Sequence, residues 1–500
     1  MTPSKQDKEA GLTDSLQGIL VGAVVTFIGN MFLRVSGLLE RVLVARFFNP
    51  DKYGEFVLAL TVLNFAVIVA VMGLDKGIVR YVARADDEQK RRGIVVFSLR
   101  FSFLIALVVG GILFVSAGAI SNAVFNDATL TPFVRVAAVI VPFAVIVKIA
   151  TATARGFESA RARTLMKDIG LPGAKLLFIV ITIFLGFDIL GVASGYIAAY
   201  LVISIFALGY IWNLTGGRGT TSIRTELLRF SVPLLVTGSL RIVADTIDTL
   251  FIAAMLTTRD VGVYNAGYML SNLVLMAPTL VGVIFMPIMS DYHSQTDLKS
   301  MDRIFKLSTR WILALTTPGF VLILLSPGTF ISSLFQETYL DATGVLLVVS
   351  SGFFLHVMLG LNGATLNMIG DSDFILFTSI LNAATNIALN LVLIPRIGII
   401  GAAIATFVSF SLSNVAAAIR LYQRVRILPF SWNTTVTVAS LSLITVLISI
   451  SVGYYLDGII YILICYTASI IIFFPLYGRY LSIPEEQEIF TNKVREKIKQ

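Results

Sequence analysis

The chain has 500 residues, 56% of them hydrophobic and only 14% charged, with a mean hydropathy of +0.87. An ordinary soluble domain has about a quarter of its residues charged, so there is too little polar surface here to cover several soluble domains. The formal net charge of +8 needs no nucleic-acid partner, since topology and contact with anionic lipid account for it. A single cysteine, Cys465, excludes an intrachain disulfide.

The first residues, 1–15, are polar and mixed in charge and form an N-terminal tail. Apolar runs long enough to cross a hydrocarbon core of about 30 Å then recur to the end of the chain. They fall near 16–46, 54–74, 93–119, 131–154, 168–187, 190–213, 228–257, 262–290, 304–326, 341–366, 374–394, 398–420, 432–455 and 459–478. The pattern predicts an all-α polytopic membrane protein with about fourteen transmembrane helices. The run from Leu16 lacks a small-residue cleavage pattern and reads as an uncleaved first helix. Short turns at Gly186-Phe187-Asp188, Pro395-Arg396-Ile397-Gly398 and Leu456-Asp457-Gly458 join neighbours into antiparallel pairs.

Loop charge orients the chain. Lys76, Arg80, Arg84, Lys90, Arg91 and Arg92 fall in one set of alternate loops, with Arg155, Arg161, Arg163, Lys167, Arg218, Arg224, Arg229, Lys299, Arg303, Lys306, Arg310, Arg420, Arg424 and Arg426. The opposite loops hold Arg46, Lys52, Arg259 and Arg396. By the positive-inside rule the first set and both termini are expected to be cytoplasmic.

A weak internal repeat organises the helices. Val42-Leu43-Val44-Ala45 leads to Tyr53-Gly54-Glu55-Phe56, and in the same spacing Leu250-Phe251-Ile252-Ala253 leads to Val261-Gly262-Val263-Tyr264. Leu190-Gly191-Val192-Ala193 similarly echoes Ile400-Gly401-Ala402-Ala403. A repeat of roughly 210 residues holds six helices, so the two halves would share one orientation about an axis along the membrane normal. The expected division is a six-helix bundle at 16–213, a cytoplasmic linker at 214–227, a second six-helix bundle at 228–422, two further helices within 430–481 and a cytoplasmic tail at 482–500.

Several basic residues lie where lipid should be. Arg100 and Arg135 sit near helix ends and can snorkel, whereas a charge at a helix centre costs about 2.5–3.5 kcal/mol on insertion scales and seeks a cavity or a partner. Helix rise places Lys148 and Lys175 in the inner half, Arg241 near mid-depth, and Glu40, Asp245 and Asp248 further out. In one reading Arg241 pairs with Asp245 and Glu40 with Arg41, and these groups only fasten helices. In the other, Arg34, Lys148, Lys175 and Arg241 line an inward-facing cationic cavity for an anionic head group, to which guanidinium can donate two hydrogen bonds at once. Prolines at 142, 172, 233, 278, 287 and 318 each remove a backbone donor and favour a bend.

Two histidines are too few for a histidine-based metal site, and no phosphate-cradling glycine loop precedes a lysine and serine. Asp371-Ser372-Asp373 has the form of a glycosyltransferase metal motif, but its place at the opening of a helix suits an N-cap better. Neither an enzymatic activity nor a cofactor is expected.

The stretch from Arg41 to Phe56, the segment Ala154-Arg155-Gly156-Phe157-Glu158 and the run from Gly398 to Ala405 give the chain its resemblance to Wzx-type polysaccharide transporters. These are flippases of the multidrug/oligosaccharidyl-lipid/polysaccharide exporter superfamily, and the likeness covers almost the whole chain. It implies a multi-pass plasma-membrane transporter that moves a polyprenyl-(pyro)phosphate-linked oligosaccharide from the cytoplasmic to the outer leaflet by alternating access. Membrane lipids and the lipid-linked oligosaccharide would be its partners, with a glycan polymerase or glycosyltransferases nearby. Glu40, Asp245 and Asp248 are candidate carriers of a coupling ion. A cation-coupled multidrug antiporter of the same superfamily is the first alternative, and a membrane glycosyl- or acyltransferase the second.

Overall fold

A computed structural model of the protein describes residues 29, 31–216, 223–429 and 431–477, with the backbone alone over 236–245 and at 476. Among the described residues the regular structure is helical throughout. The chain divides into two compact units, Met1–Gly262 and Val263–Gln500. The first holds α1 (31–47), α2 (Pro50–Val71), α3 (Leu74–Ala83), α4 (Glu88–Ala123), α5 (Thr131–Gly156), α6 (Ala160–Arg163), α7 (Leu171–Phe184), α8 (Ile189–Thr215) and α9 (Arg224–Met255). Helix α10 (Thr258–Ser271) begins in the first unit and ends in the second. The second unit continues with α11 (Met276–Ser294), α12 (Leu298–Leu325), α13 (Pro327–Leu334), α14 (Thr343–Met358), α15 (Asn362–Met368), α16 (Ser372–Ile397), α17 (Ile399–Val425), α18 (Trp432–Val452) and α19 (Gly458–Leu476).

Eleven helical stretches among the described residues are long and apolar enough to cross a membrane, and each coincides with an expected segment. Of the other three, 16–46 begins outside the described residues, and 228–257 lies partly outside them. The third, 168–187, has regular α-helix only over Leu171–Phe184. Large apolar side chains such as Val115 and Phe184 stand exposed on these helices, as lipid-facing residues must.

Local chemistry sets the helix starts. Asn49 accepts from the Lys52 amide at 3.1 Å with Pro50 in the first turn of α2, and Asp188 accepts from the Gly191 amide at 3.0 Å to open α8. The charged loop after the second span is more ordered than its composition suggests. It contains α3, whose Gly73 and Gly77 lie so close to Ser231 of α9 that a Cβ at either would fall within 2.3 Å of an atom of that serine.

Helix α5 is the centre of the first unit, packed by α2, α3, α4 and α8. Pro142 inside it has no N–H for the carbonyl of Ala138 four residues back. That carbonyl faces Gly110 of α4, where a Cβ would come within 2.9 Å. In the second unit α17 takes the central place, against α14, α15 and α16, and its small residues Gly401, Ala402, Ala403 and Ala405 are buried. The last two helices, α18 and α19, pack on α12.

The glycines matched by the repeat meet each other's helices. A Cβ on Gly54 would fall 1.9 Å from the carbonyl oxygen of Thr258, and one on Gly262 would fall 2.0 Å from that of Pro50. All four residues lie in the first unit, and the two contacts exchange under the repeat register.

Candidate functional site

The best-defined polar cluster inside the apolar region lies on α1, α7 and α8 of the first unit. Glu40 is buried at 6% exposure, and its carboxylate accepts a hydrogen bond from the hydroxyl of Tyr196. Lys175 Nζ stands 3.9 Å from Glu40 Oε2, at the outer limit of an ion pair. The same ammonium lies 4.8 Å from the ring centroid of Tyr196 and 5.5 Å from that of Tyr200, close enough for cation–π attraction. Tyr196 is itself held edge-on against Phe56, with centroids 5.4 Å apart. Removing one partner of such a buried pair is expected to cost about 3–5 kcal/mol, because the other charge is left uncompensated.

This geometry separates residues that the sequence grouped and joins others that it kept apart. Glu40 takes its cation from α7 and not from its neighbour Arg41, because consecutive residues of a helix point about 100° apart and Arg41 is exposed. Lys175 therefore has a carboxylate partner that lies far off in sequence. Arg34 is exposed on α1 and Lys148 is half-buried on α5, and among the described residues neither has a carboxylate within ion-pair distance. Asp248 of α9 is buried and engaged with its surroundings. The side chains of Arg241 and Asp245 lie outside the described residues.

Other polar groups were not singled out by the sequence. Residues Thr164–Gly170 form a π-helical turn, in which the Leu171 amide reaches back to the carbonyl of Met166. Asp168 in that turn is fully buried with both carboxylate oxygens unpartnered, and the Thr164 hydroxyl beside it is also unpartnered. The signal for this was Pro172, four residues on. In the second unit Arg310, counted among the loop cations, is 2% exposed within α12 and lies 5.7 Å from the Tyr477 ring.

Asp371 does occupy the N-cap position of α16, but its side chain does not cap. It accepts instead from Arg420 at 2.7 Å and Arg424 at 2.9 Å, both on α17. These guanidiniums hold its carboxyl below the usual carboxylate range. His356 is hydrogen-bonded inside the unit, with Nδ1 2.6 Å from Asn414 Oδ1. Among the described residues no three His, Cys, Asp or Glu side chains gather as metal ligands. An apolar cleft of about 340 Å³ opens beside α12 and α19, lined by Leu280, Leu315, Gly319, Phe320, Leu463 and Tyr466 among others.

Two units of long apolar helices carrying buried charge have the fold of transporters of the multidrug/oligosaccharidyl-lipid/polysaccharide exporter superfamily. A structure of the lipid II flippase MurJ in an inward closed conformation superposes with a TM-score of 0.72 at 15% identity, covering 91% of this chain and 99% of that one. An inward-facing multidrug-resistance MATE transporter gives 0.64 at 15% identity, covering 81% and 98%. In sequence, the probable flippase AglR of Haloferax volcanii is 28% identical over 240 residues, 47% of this chain. That alignment spans 50% of AglR, about half its length. Residues 43–344 match the model of the polysaccharide biosynthesis protein family, and the chain belongs to that family.

Proposed function

We propose that this protein is a flippase that turns a polyprenyl-(pyro)phosphate-linked oligosaccharide from the cytoplasmic to the outer leaflet by alternating access, for surface glycan assembly. The observation that carries the reading is the extent of the likeness to the lipid II flippase. It covers about a tenth more of the chain than the likeness to the multidrug transporter, a length that corresponds to the α18–α19 hairpin. Family membership and a flippase-named relative support the same reading.

In this reading the sugar and phosphate cross through a wet interior while the lipid tail stays among apolar groups, with the cleft beside α19 offering such surroundings. Arg34, Lys148, Lys175 and Arg241 supply positive charge for the phosphate. An interior-negative potential favours outward passage of an anion by about 2.3 kcal/mol per charge per 100 mV. Both termini are cytoplasmic in this arrangement, and a glycan polymerase or glycosyltransferases act before and after the transfer.

The test is export of surface glycan in a strain that depends on this protein. Single replacement of Arg34, Lys148 and Arg241 by Ala should each lower export at least tenfold at normal protein levels, with lipid-linked precursor accumulating on the inner leaflet. Full export by all three variants would reject the cationic seat. The multidrug-antiporter reading rests on the second fold likeness, and predicts drug resistance on expression with surface glycan unchanged.

A further inference from the structure

Lys175 is placed between two claims. The flippase reading needs it as a cation for phosphate, while the structure sets it against Glu40 at a distance that marks a loose pair. The aromatic rings of Tyr196 and Tyr200 hold the ammonium from the other side, so leaving the carboxylate does not strand it in an apolar void. Glu40 has the opposite problem. It is buried, and once the lysine leaves, its only direct partner among the described residues is one neutral hydroxyl, from Tyr196. The other ionisable groups set electrostatically against this cluster are Arg41 on α1, Tyr53 on α2 and Tyr200 on α8. Arg41 points away to the exposed side of its helix, and neither tyrosine brings a positive charge.

We infer that Glu40 and Lys175 form a latch that a substrate phosphate opens, with one proton taking the lysine's place on Glu40. The inference rests on the flippase reading and adds to it the regulation of the same site. In the closed latch a carboxylate faces an ammonium. When phosphate arrives, the ammonium keeps its charge and turns to the phosphate oxygens. The carboxylate, left buried without a countercharge, accepts a proton from water. No covalent bond to carbon or phosphorus changes, and the site takes up one proton for each phosphate seated. Tyr196 holds the carboxyl group in both states, donating to the carboxylate and then to the carbonyl oxygen of the acid. When phosphate departs, the lysine returns and the proton is released.

Full-length protein in lipid nanodiscs is titrated with farnesyl phosphoryl glucose, a phosphodiester whose own charge does not change across the neutral range. Calorimetry in two buffers of different ionisation enthalpy then counts protons. The unmodified protein should take up about one proton per probe bound, and its affinity should rise about tenfold for each unit the pH falls. Glu40→Gln should bind the probe with no proton taken up and no pH slope. Lys175→Gln should lose binding at least tenfold, and Lys175→Arg should keep it. Binding by the unmodified protein with no proton uptake overturns the latch and leaves the flippase reading standing, as does an unchanged proton count in Glu40→Gln. No binding by the unmodified protein overturns the phosphate seat and the latch with it. The proton count of the unmodified protein decides the matter even if a variant fails to fold.

Discussion

Pro172 has no amide hydrogen for the carbonyl of Asp168, and the helix answers by slipping to a π register, with Leu171 reaching Met166 instead. The slip leaves Asp168 buried with no donor for either oxygen. A buried polar group without a partner costs about 1–3 kcal/mol, more when it is charged. Asp168→Asn should therefore raise the melting temperature of the purified protein, and an unchanged or lower value would show that the carboxylate has a stabilising role. The same turn lies seven residues before Lys175. Discharging its surplus residue would rotate that lysine by about 100° around its helix axis. At this scale the sequence was legible by depth and by type, and illegible by partner. Position along a helix showed that Glu40 and Lys175 lie within the membrane, but their pairing depends on the packing of α1 on α7, which no local pattern encodes.

Helix boundaries were legible as apolar runs, because each span has to satisfy its backbone internally and its length follows from bilayer thickness. The exception, α3, is a short helix in a charged loop, formed by docking on α5 and α9 and not by hydropathy. Between helices the deciding features are close approaches. Gly110→Val should place a side chain into the Ala138 carbonyl and destabilise the first unit by about 1–3 kcal/mol, and a thermal melt of the detergent-solubilised variant reads the loss. Gly319→Leu should fill the apolar cleft beside Tyr466 and reduce glycan export with little change in melting temperature; a matching loss of both would reduce the cleft to a packing feature. The junction before α16 is clamped electrostatically. Since Arg420 and Arg424 lower the Asp371 pKa in the folded state, the clamp stabilises fully above about pH 4 and fades as acid protonates Asp371. Asp371→Asn should remove that acid-sensitive part, so the variant's stability should fall less on acidification than the parent's.

Across the whole molecule, charge bias in the loops makes a prediction that the single cysteine renders easy to test. Cys465 is buried, so a cysteine introduced elsewhere is the only ready thiol. In intact cells Arg259→Cys should react with a membrane-impermeant maleimide and Lys90→Cys should react only after lysis; the reverse pattern would invert the orientation. The repeat was visible in the sequence as a faint echo around Gly54 and Gly262, but nothing there said why glycine occupies both places. Each needs to be bare because the other's helix occupies the space where a side chain would stand. Exchanging partners in this way is what a surface does when it meets an identical surface across a two-fold axis. A half-length ancestor carrying one such glycine would have been able to self-associate as a symmetric dimer through this patch, and duplication and fusion would then have turned a bond between two chains into one within a single chain.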